Sequence, residues 1–445
     1  MSCFQFAATN AYSQSDDYNI KIGNLLLDFS VYGEYTYNDN VTTVPEGVPD
    51  RFDPTIIGPR EDYIFSLGAD VGINWQITDN NTLSVVLGTK YEDYQDLNYL
   101  DSQNTFFSIN PDSQVEFKVL IDPFEFRVYD KFGYTVSGSN AALVEPVDEN
   151  TPVEDNDRPI VRGRAISIQV DRYAEWTNEV GIEGLAILNP LEWTVGVRYF
   201  QSMPDDDNND GASSVDGTDT LQPDRWEFTR RDELIIDSQL YYPLGRDNGA
   251  GIFGKYSDNN YTEEILADST GWQFGGVVDW TLGERTALSV NAGYDHREFD
   301  EANTLKNPEG TMYVDILEGD SGFYGFELLN LIGQNFNHKL VFSRSVSLGR
   351  VTNQQISNSY GWDFTFDGIR SVNLNGGVQW VNADDSGPSI FAEHYDLFMV
   401  NFGIDLDVVE DLQCRFSYRY VDKDSDNNDR DYKQNLATLS LHYDF

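Results

Sequence analysis

Ala437-Thr438-Leu439-Ser440-Leu441-His442-Tyr443-Asp444-Phe445 ends the sequence. Ala437, Leu439, Leu441, Tyr443 and Phe445 are apolar at strict period two, with Thr438, Ser440, His442 and Asp444 between them. Successive side chains of a β-strand point to opposite faces of the sheet. The stretch therefore reads as a strand with one greasy face and one polar face.

The same alternation recurs along the chain. Tyr63, Phe65, Leu67, Ala69, Val71, Ile73, Trp75 and Ile77 oppose Ser66, Gly68, Asp70, Gly72, Asn74 and Gln76. Trp272, Phe274, Val278, Trp280 and Leu282 oppose Gln273, Gly275, Asp279 and Thr281. Phe398, Val400, Phe402, Ile404, Leu406 and Val408 oppose Asn401, Gly403, Asp405 and Asp407. Leu412, Cys414, Phe416, Tyr418 and Tyr420 oppose Gln413, Arg415, Ser417 and Arg419. A soluble sandwich also alternates, but it turns its apolar faces inward and a charged face to water. Here the polar face is rich in Gly, Ser, Asn and Thr, which suits the wall of a water-filled interior. No run of eighteen apolar residues occurs, so a membrane-spanning helix is excluded.

Turn signals divide these strands. Short ones fall at Thr78–Asn81, Asp122–Pro123, Asn189–Pro190, Gly245–Asn248, Gly283–Arg285, Gln334–Asn337, Asp367–Ile369 and Val409–Asp411. Between them lie longer, acidic or irregular stretches: 38–60, 98–103, 138–178, 204–225, 262–270, 300–321, 349–355, 383–391 and 422–431. Short and long connections alternate in order, which predicts eighteen strands with both termini on the short-turn side. A strand pair could be gained or lost at 160–178 or 312–334, with sixteen strands as the alternative. Backbone groups facing lipid must all be paired, so such a sheet must close. The expected fold is all-β: a closed antiparallel transmembrane barrel, with short periplasmic turns and long extracellular loops. Residues 1–21 read as a periplasmic segment and 22–445 as one barrel domain. At this strand number side chains alone cannot fill the interior, so a channel, open or plugged, is expected. The stretches 138–178 and 300–321 are long enough either to fold inward or to extend outside.

Composition agrees. Hydrophobic residues make up 40% of the 445, a low share, because only alternate residues of each strand face lipid. Aromatic residues reach 14%, as interfacial girdles require. The net charge of −46 excludes nucleic-acid binding, which needs Lys and Arg against phosphates. Cys3 and Cys414 make neither a disulfide framework nor a thiolate metal site. Phe4-Gln5-Phe6-Ala7-Ala8 is a short apolar patch without a basic flank, so an export signal is expected upstream. Asp206, Asn208 and Asp210, followed by Gly211, match the first half of a calcium loop. Gly217 stands where the bidentate Glu belongs, so calcium is a minor expectation and no other cofactor is implied. The four His residues form no metal pair, and no nucleophile elbow, phosphate loop or dinucleotide fingerprint occurs. No enzyme activity is expected.

Pattern parity assigns both signs of charge to the polar face. Lys90, Lys118, Arg127, Lys131, Arg198, Arg297, Arg415 and Arg419 fall there, as do Asp70, Glu116, Glu125, Asp279, Asp295, Asp363, Asp405 and Asp407. Charge rings of this kind set ion selectivity in pores, whereas a salt-bridged wall only solvates the interior. Tyr129, Phe200 and Tyr241 are the only clear inward aromatics.

Two ends of the chain carry a resemblance. Ile22-Gly23-Asn24-Leu25-Leu26-Leu27-Asp28-Phe29-Ser30, followed by Glu34-Tyr35-Thr36-Tyr37-Asn38-Asp39-Asn40-Val41, resembles the start of the β-barrel porin type 2 family. Asp28 and Phe29 stand where that family often has Pro. His338–Ser345, Asp422–Ser425, Asp431–Asn435 and the last strand are similar to it too. Tyr443 and the terminal Phe445 look like the assembly signal of outer-membrane barrels. The resemblance implies an outer-membrane location, outer-membrane lipid and the barrel-assembly machinery as partners, and an association with exopolysaccharide production or export. Three functions follow: a porin-like channel for passive diffusion of small hydrophilic solutes or ions, a barrel working with polysaccharide-export proteins, or a structural barrel with a closed lumen. A self-trimer is compatible with the first.

Overall fold

The computed structural model describes residues 20–41, 43, 58–96, 107–137, 173–204, 230–245, 248–262, 267–283, 285–300, 318–348, 354–386, 393–409, 411–426 and 430–445. Every strand among them belongs to one antiparallel sheet. In chain order the strands are β1 (Ile20–Ile22), β2 (Leu25–Asn38), β3 (Asp62–Thr78), β4 (Asn81–Tyr94), β5 (Ser108–Ile109), β6 (Gln114–Ile121), β7 (Phe124–Ser137), β8 (Tyr173–Leu188), β9 (Leu191–Pro204) and β10 (Arg231–Pro243). They continue as β11 (Gly249–Tyr261), β12 (Ser269–Thr281), β13 (Thr286–Phe299), β14 (Glu318–Ile332), β15 (Phe336–Ser347), β16 (Gln354–Ile369), β17 (Val372–Ser386), β18 (Glu393–Val409), β19 (Leu412–Ser425) and β20 (Tyr432–Asp444).

Each strand pairs with its neighbours in sequence, and the ring closes where β2 meets β20, from Ser30 opposite Asp444 to Asn38 opposite Leu436. β1 is a short hairpin arm on β2. β5 and β6 both lie between β4 and β7 and are two parts of one barrel strand. The barrel therefore has the expected eighteen strands, not sixteen. The 13 residues of β20, at about 3.3 Å each and tilted by about 40°, rise about 33 Å, more than the apolar band of about 25 Å that a barrel needs.

Among the described residues, buried apolar side chains of the sheet gather in local patches, such as Val381, Tyr395 and Leu397 on the inner face. Most large apolar side chains of the sheet face outward: Leu67, Val128, Ile182, Ile252, Phe274, Phe402 and Leu439 are all exposed. Aromatic residues cap this belt at both ends. Trp75, Trp193 and Trp280 lie toward the short turns. Tyr63, Trp176, Trp272 and Trp380 lie toward the long connections. Neighbouring rings touch across strands, as in the stacked pairs Tyr35–Tyr63 at 5.6 Å and Tyr360–Trp380 at 5.3 Å. Rings with a polar edge suit the water–lipid boundary.

Several connections differ from expectation in extent. β8 begins at Tyr173, inside the stretch 138–178 expected as loop, and β14 begins at Glu318, inside 300–321. β17 runs on to Ser386 and β19 to Ser425. In these strand ends the outward positions are polar, for example Asn178, Asp320, Asp384 and Asp424. The hydrogen-bonded ladder continues after the hydrophobic alternation has stopped. The turn expected at Asp367–Ile369 falls instead at Arg370–Ser371, because a register shift between Phe366 and Ile369 takes Asp367 and Gly368 into β16. Gly283 and Gly333 occupy their short turns at φ of +86° and +75°, a region glycine enters without strain.

Candidate functional site: the lumen wall

Strand parity and ring closure decide what faces the interior. Asp70, Lys90, Glu116, Lys118, Glu125, Arg127, Lys131, Arg198, Asp279, Asp295, Arg297, Asp363, Asp405, Asp407, Arg415 and Arg419 all stand at inward positions. Asp206, Asn208 and Asp210 lie outside the described residues. Tyr443 and Phe445 face outward at the short-turn rim, where Phe445 packs edge-on to Tyr443 at 4.9 Å and against Phe29 at 5.0 Å. Among the described residues, no group of three or more His, Cys, Asp and Glu side chains could hold a metal ion.

The inward charges are mostly matched. Arg127 bridges Glu116 at 2.7 Å and Glu183 at 3.3 Å. Lys118 pairs with Glu125 at 2.9 Å. Arg198 pairs with Asp237 at 3.1 Å, and Arg415 with Asp405. Lys90 sits between Glu34 at 3.0 Å and Glu92 at 2.9 Å. Asp295 accepts a hydrogen bond from Gln273, and Asp279 accepts from Tyr241 at 2.9 Å and Ser289 at 2.5 Å. Arg297 donates to Ser269 at 3.3 Å and Ser257 at 3.5 Å instead of to a carboxylate. Among the described residues, Lys131, Arg231, Lys255 and Arg419 also face the lumen without an ion pair to a carboxylate.

Glu34, Glu92, Glu183, Asp237, Lys255 and the Lys339–Glu327 pair at 3.0 Å were not singled out from sequence. Parity was readable for Glu92, two residues from Lys90, and for Asp237, four from Tyr241, whereas β2, β8, β11, β14 and β15 carried no assigned inward position. It was readable too for Glu393, which takes Lys423 at 2.6 Å, Arg430 at 3.0 Å and the Ser425 hydroxyl at 2.7 Å.

Inward aromatics are more numerous than Tyr129, Phe200 and Tyr241. Tyr32, Phe253, Phe323, Tyr395 and Tyr432 also point inward. Tyr395, Tyr432, Val381, Ala383, Leu397, Met399 and Val421 form an apolar patch on β17–β20 toward the long-connection end. Sequence reading missed it because the alternation is inverted there: Asn382, Asp384, His394, Asp396 and Asp422 face outward, while the apolar positions between them face inward.

Three of the inward tyrosines need glycine partners, Tyr241 resting over Gly249. A Cβ at Gly181 would lie 2.4 Å from the Tyr129 ring, and one at Gly68 would lie 2.0 Å from Tyr32. Each ring thus lies flat against the neighbouring strand instead of extending into the lumen. Arg127 and Lys131 lie over the Tyr129 ring at 4.7 and 5.3 Å, and its hydroxyl donates to Glu179 at 2.9 Å. The wall is therefore a mosaic of paired charges held close to the backbone.

No protein-family model matches the sequence, and no curated protein does so either. The resemblance to the β-barrel porin type 2 family is thus not matched by any family model. Solved structures do match. The chain aligns with OccAB1 of Acinetobacter baumannii at a TM-score of 0.50 and 11% identity, over 97% of this chain and 99% of that one. A BenF-like porin from Pseudomonas fluorescens aligns at 0.49 and 11%, over 95% and 100%. OpdK of Pseudomonas aeruginosa, crystallised with vanillate, aligns at 0.48 and 12%, over 95% and 99%. At such identities the likeness concerns architecture alone: the chain has the eighteen-stranded closed barrel fold found in outer-membrane porins.

Proposed function

We propose that this barrel is a passive diffusion channel of the outer membrane for small hydrophilic solutes or ions, with the short-turn rim in the periplasm. One observation carries the reading: the outward face is apolar while the inward face is a lining of paired charges, hydroxyls and amides. Such a lining is of use only where water reaches it, since unhydrated ion pairs gain little over apolar packing. A closed sheet of eighteen strands leaves room for that water. The near balance of bound charge favours weak, multi-site contact with passing solutes, which lets them leave as readily as they enter. Lys255 and Arg419 are among the inward cations available to an anionic group.

The resemblance of the segments 22–41 and 422–445 to the β-barrel porin type 2 family supports the same membrane and fold. It also supports Tyr443 and Phe445 as the signal read by the barrel-assembly machinery. The reading is tested by inserting the refolded protein into planar bilayers. Discrete, steady current steps, together with swelling of liposomes in isotonic sugar, are expected. A protein that inserts fully folded yet passes neither current nor sugar would be a structural barrel instead.

A further inference from the structure

One barrel strand is interrupted midway. Ile109 of β5 pairs with Thr89, and Gln114 of β6 pairs with Val86. β4 thus spends two residues, Leu87 and Gly88, where the opposing strand spends four, Asn110-Pro111-Asp112-Ser113. On the other side, Ile109 pairs with Tyr134 and Gln114 with Lys131, so β7 also spends only Phe132 and Gly133. The two surplus residues must leave the plane of the sheet.

They leave it inward. Gly88 and Gly133 share parity with Lys90 and Lys131, so a side chain at either would point into the lumen. A Cβ at Gly88 would lie 2.8 Å from the Asn110 Cβ, and one at Gly133 would lie 2.7 Å from the Pro111 Cα. The extra residues therefore cross over the inner face of both flanking strands, in space that glycine alone leaves empty.

The turn is also fixed. Asn110 N–H donates to the Gly88 carbonyl at 2.9 Å, Ser113 N–H to the Asn110 carbonyl at 2.9 Å, and Phe132 N–H to the Ser113 carbonyl at 2.9 Å. The Gly88 N–H donates to the Ser113 hydroxyl at 3.1 Å, and the Asp112 N–H to the Asn110 side chain at 3.0 Å. Proline at the crest brings no N–H that would need a partner. Ser113 is fully buried while Pro111 and Asp112 are exposed. The Asp70 carboxylate lies beside the turn, with an oxygen 2.6 Å from the same Gly88 Cβ position.

We propose that Asn110–Ser113 is a constriction built into the barrel wall, and that Asp112 at its crest is a selectivity residue facing the permeating solute. It narrows the lumen without any loop, because it is part of a strand. With Asp70 it forms an acidic spot that favours cations locally. The proposal rests on the channel reading above.

The test uses single-channel recording in planar bilayers. Removing Pro111 and Asp112 restores equal residue counts to the three strands and is expected to raise the unitary conductance. Asp112→Asn keeps the turn and is expected to lower the cation-over-anion permeability ratio in a salt gradient by about two- to threefold, the effect of one charge some 7 Å from the ion path in water. Folding of each variant is read from its heat-dependent gel mobility. A conducting wild type whose conductance survives the deletion unchanged, and whose selectivity survives Asp112→Asn, overturns the constriction and leaves the channel reading intact. A silent wild type beside a conducting deletion variant supports a constriction tight enough to close the pore. Silence of both overturns the channel reading and this proposal together.

Discussion

At the scale of single residues, the lumen is governed by what each charge stands next to. Arg127 holds two carboxylates, Glu116 and Glu183. Arg127→Gln would leave both without their cation. The cation-over-anion permeability ratio is then expected to rise about two- to threefold, as one charge near the ion path implies; Glu183→Gln should move it the other way. Reversal potentials in a salt gradient read both signs, and a shift of the same sign in both variants would remove Arg127 from the permeation path. Gly181 illustrates a different constraint. Gly181→Ala places a methyl group against the Tyr129 ring, an overpacking expected to cost about 1–3 kcal/mol. A lowered urea midpoint for refolded protein in vesicles checks it. Sequence could give the inward parity of Arg127 and Tyr129 but not their partners. Glu183 lies 56 positions away, and only the β7–β8 register, with Arg127 directly opposite Glu183, brings them together.

At the scale of elements, the point of closure matters most, because the first and last strands must find each other across the whole chain. The structure gives this seam its own latch. Gln434 donates to the Asn38 side chain at 3.1 Å and to the Asn40 carbonyl at 2.9 Å, while the Asn40 side chain donates to the Lys433 carbonyl at 2.9 Å. Asp39 accepts from the Asn435 N–H and side chain, both at 2.6 Å. Asn38, Asn40 and Gln434 are almost wholly buried. Gln434→Leu removes both of its hydrogen bonds across the seam and is expected to destabilise the barrel by about 1–3 kcal/mol. The variant should lose its heat-resistant gel mobility at a lower temperature than wild type; equal temperatures would mean that the backbone ladder alone holds the seam. The Asn38-Asp39-Asn40 run was legible as a family-like motif, yet its task was not, since nothing local indicates a partner nearly four hundred positions away. Strand existence was legible throughout because lipid imposes apolar alternation. Strand ends were not, because above the lipid the ladder persists without that pattern, as at Asp384 and Asp424. Asn110-Pro111-Asp112-Ser113 is turn chemistry placed inside a strand, a signal present in the sequence. It was passed over because the residues after it resume alternation in the expected parity.

At the scale of the whole molecule, a net charge of −46 coexists with a broad apolar surface, and the two do not conflict. Among the described residues, most acids lie in the lumen, where cations match many of them, or in outward polar positions toward the long connections. Only the outward belt must be free of charge. This separation predicts that the cost of a new charge depends on its face and not on its strand or exposure. Phe402 projects outward near the middle of β18 and is 38% exposed in the isolated chain. Phe402→Arg would set a guanidinium in hydrocarbon, at an expected cost of about 2–4 kcal/mol for a midplane position. Ser343 faces inward on β15, opposite Gly325 and Ser359, and Asp363 faces the same side from the neighbouring β16. Ser343→Lys should change the unfolding free energy by less than about 1 kcal/mol, while adding one positive charge to the lumen. Urea unfolding in lipid vesicles measures both. Equal destabilisation by the two substitutions would mean that the inner face is as dry as the outer one. A water-filled channel could not survive that result, whereas a strong asymmetry is what a hydrated lumen inside an apolar cylinder requires.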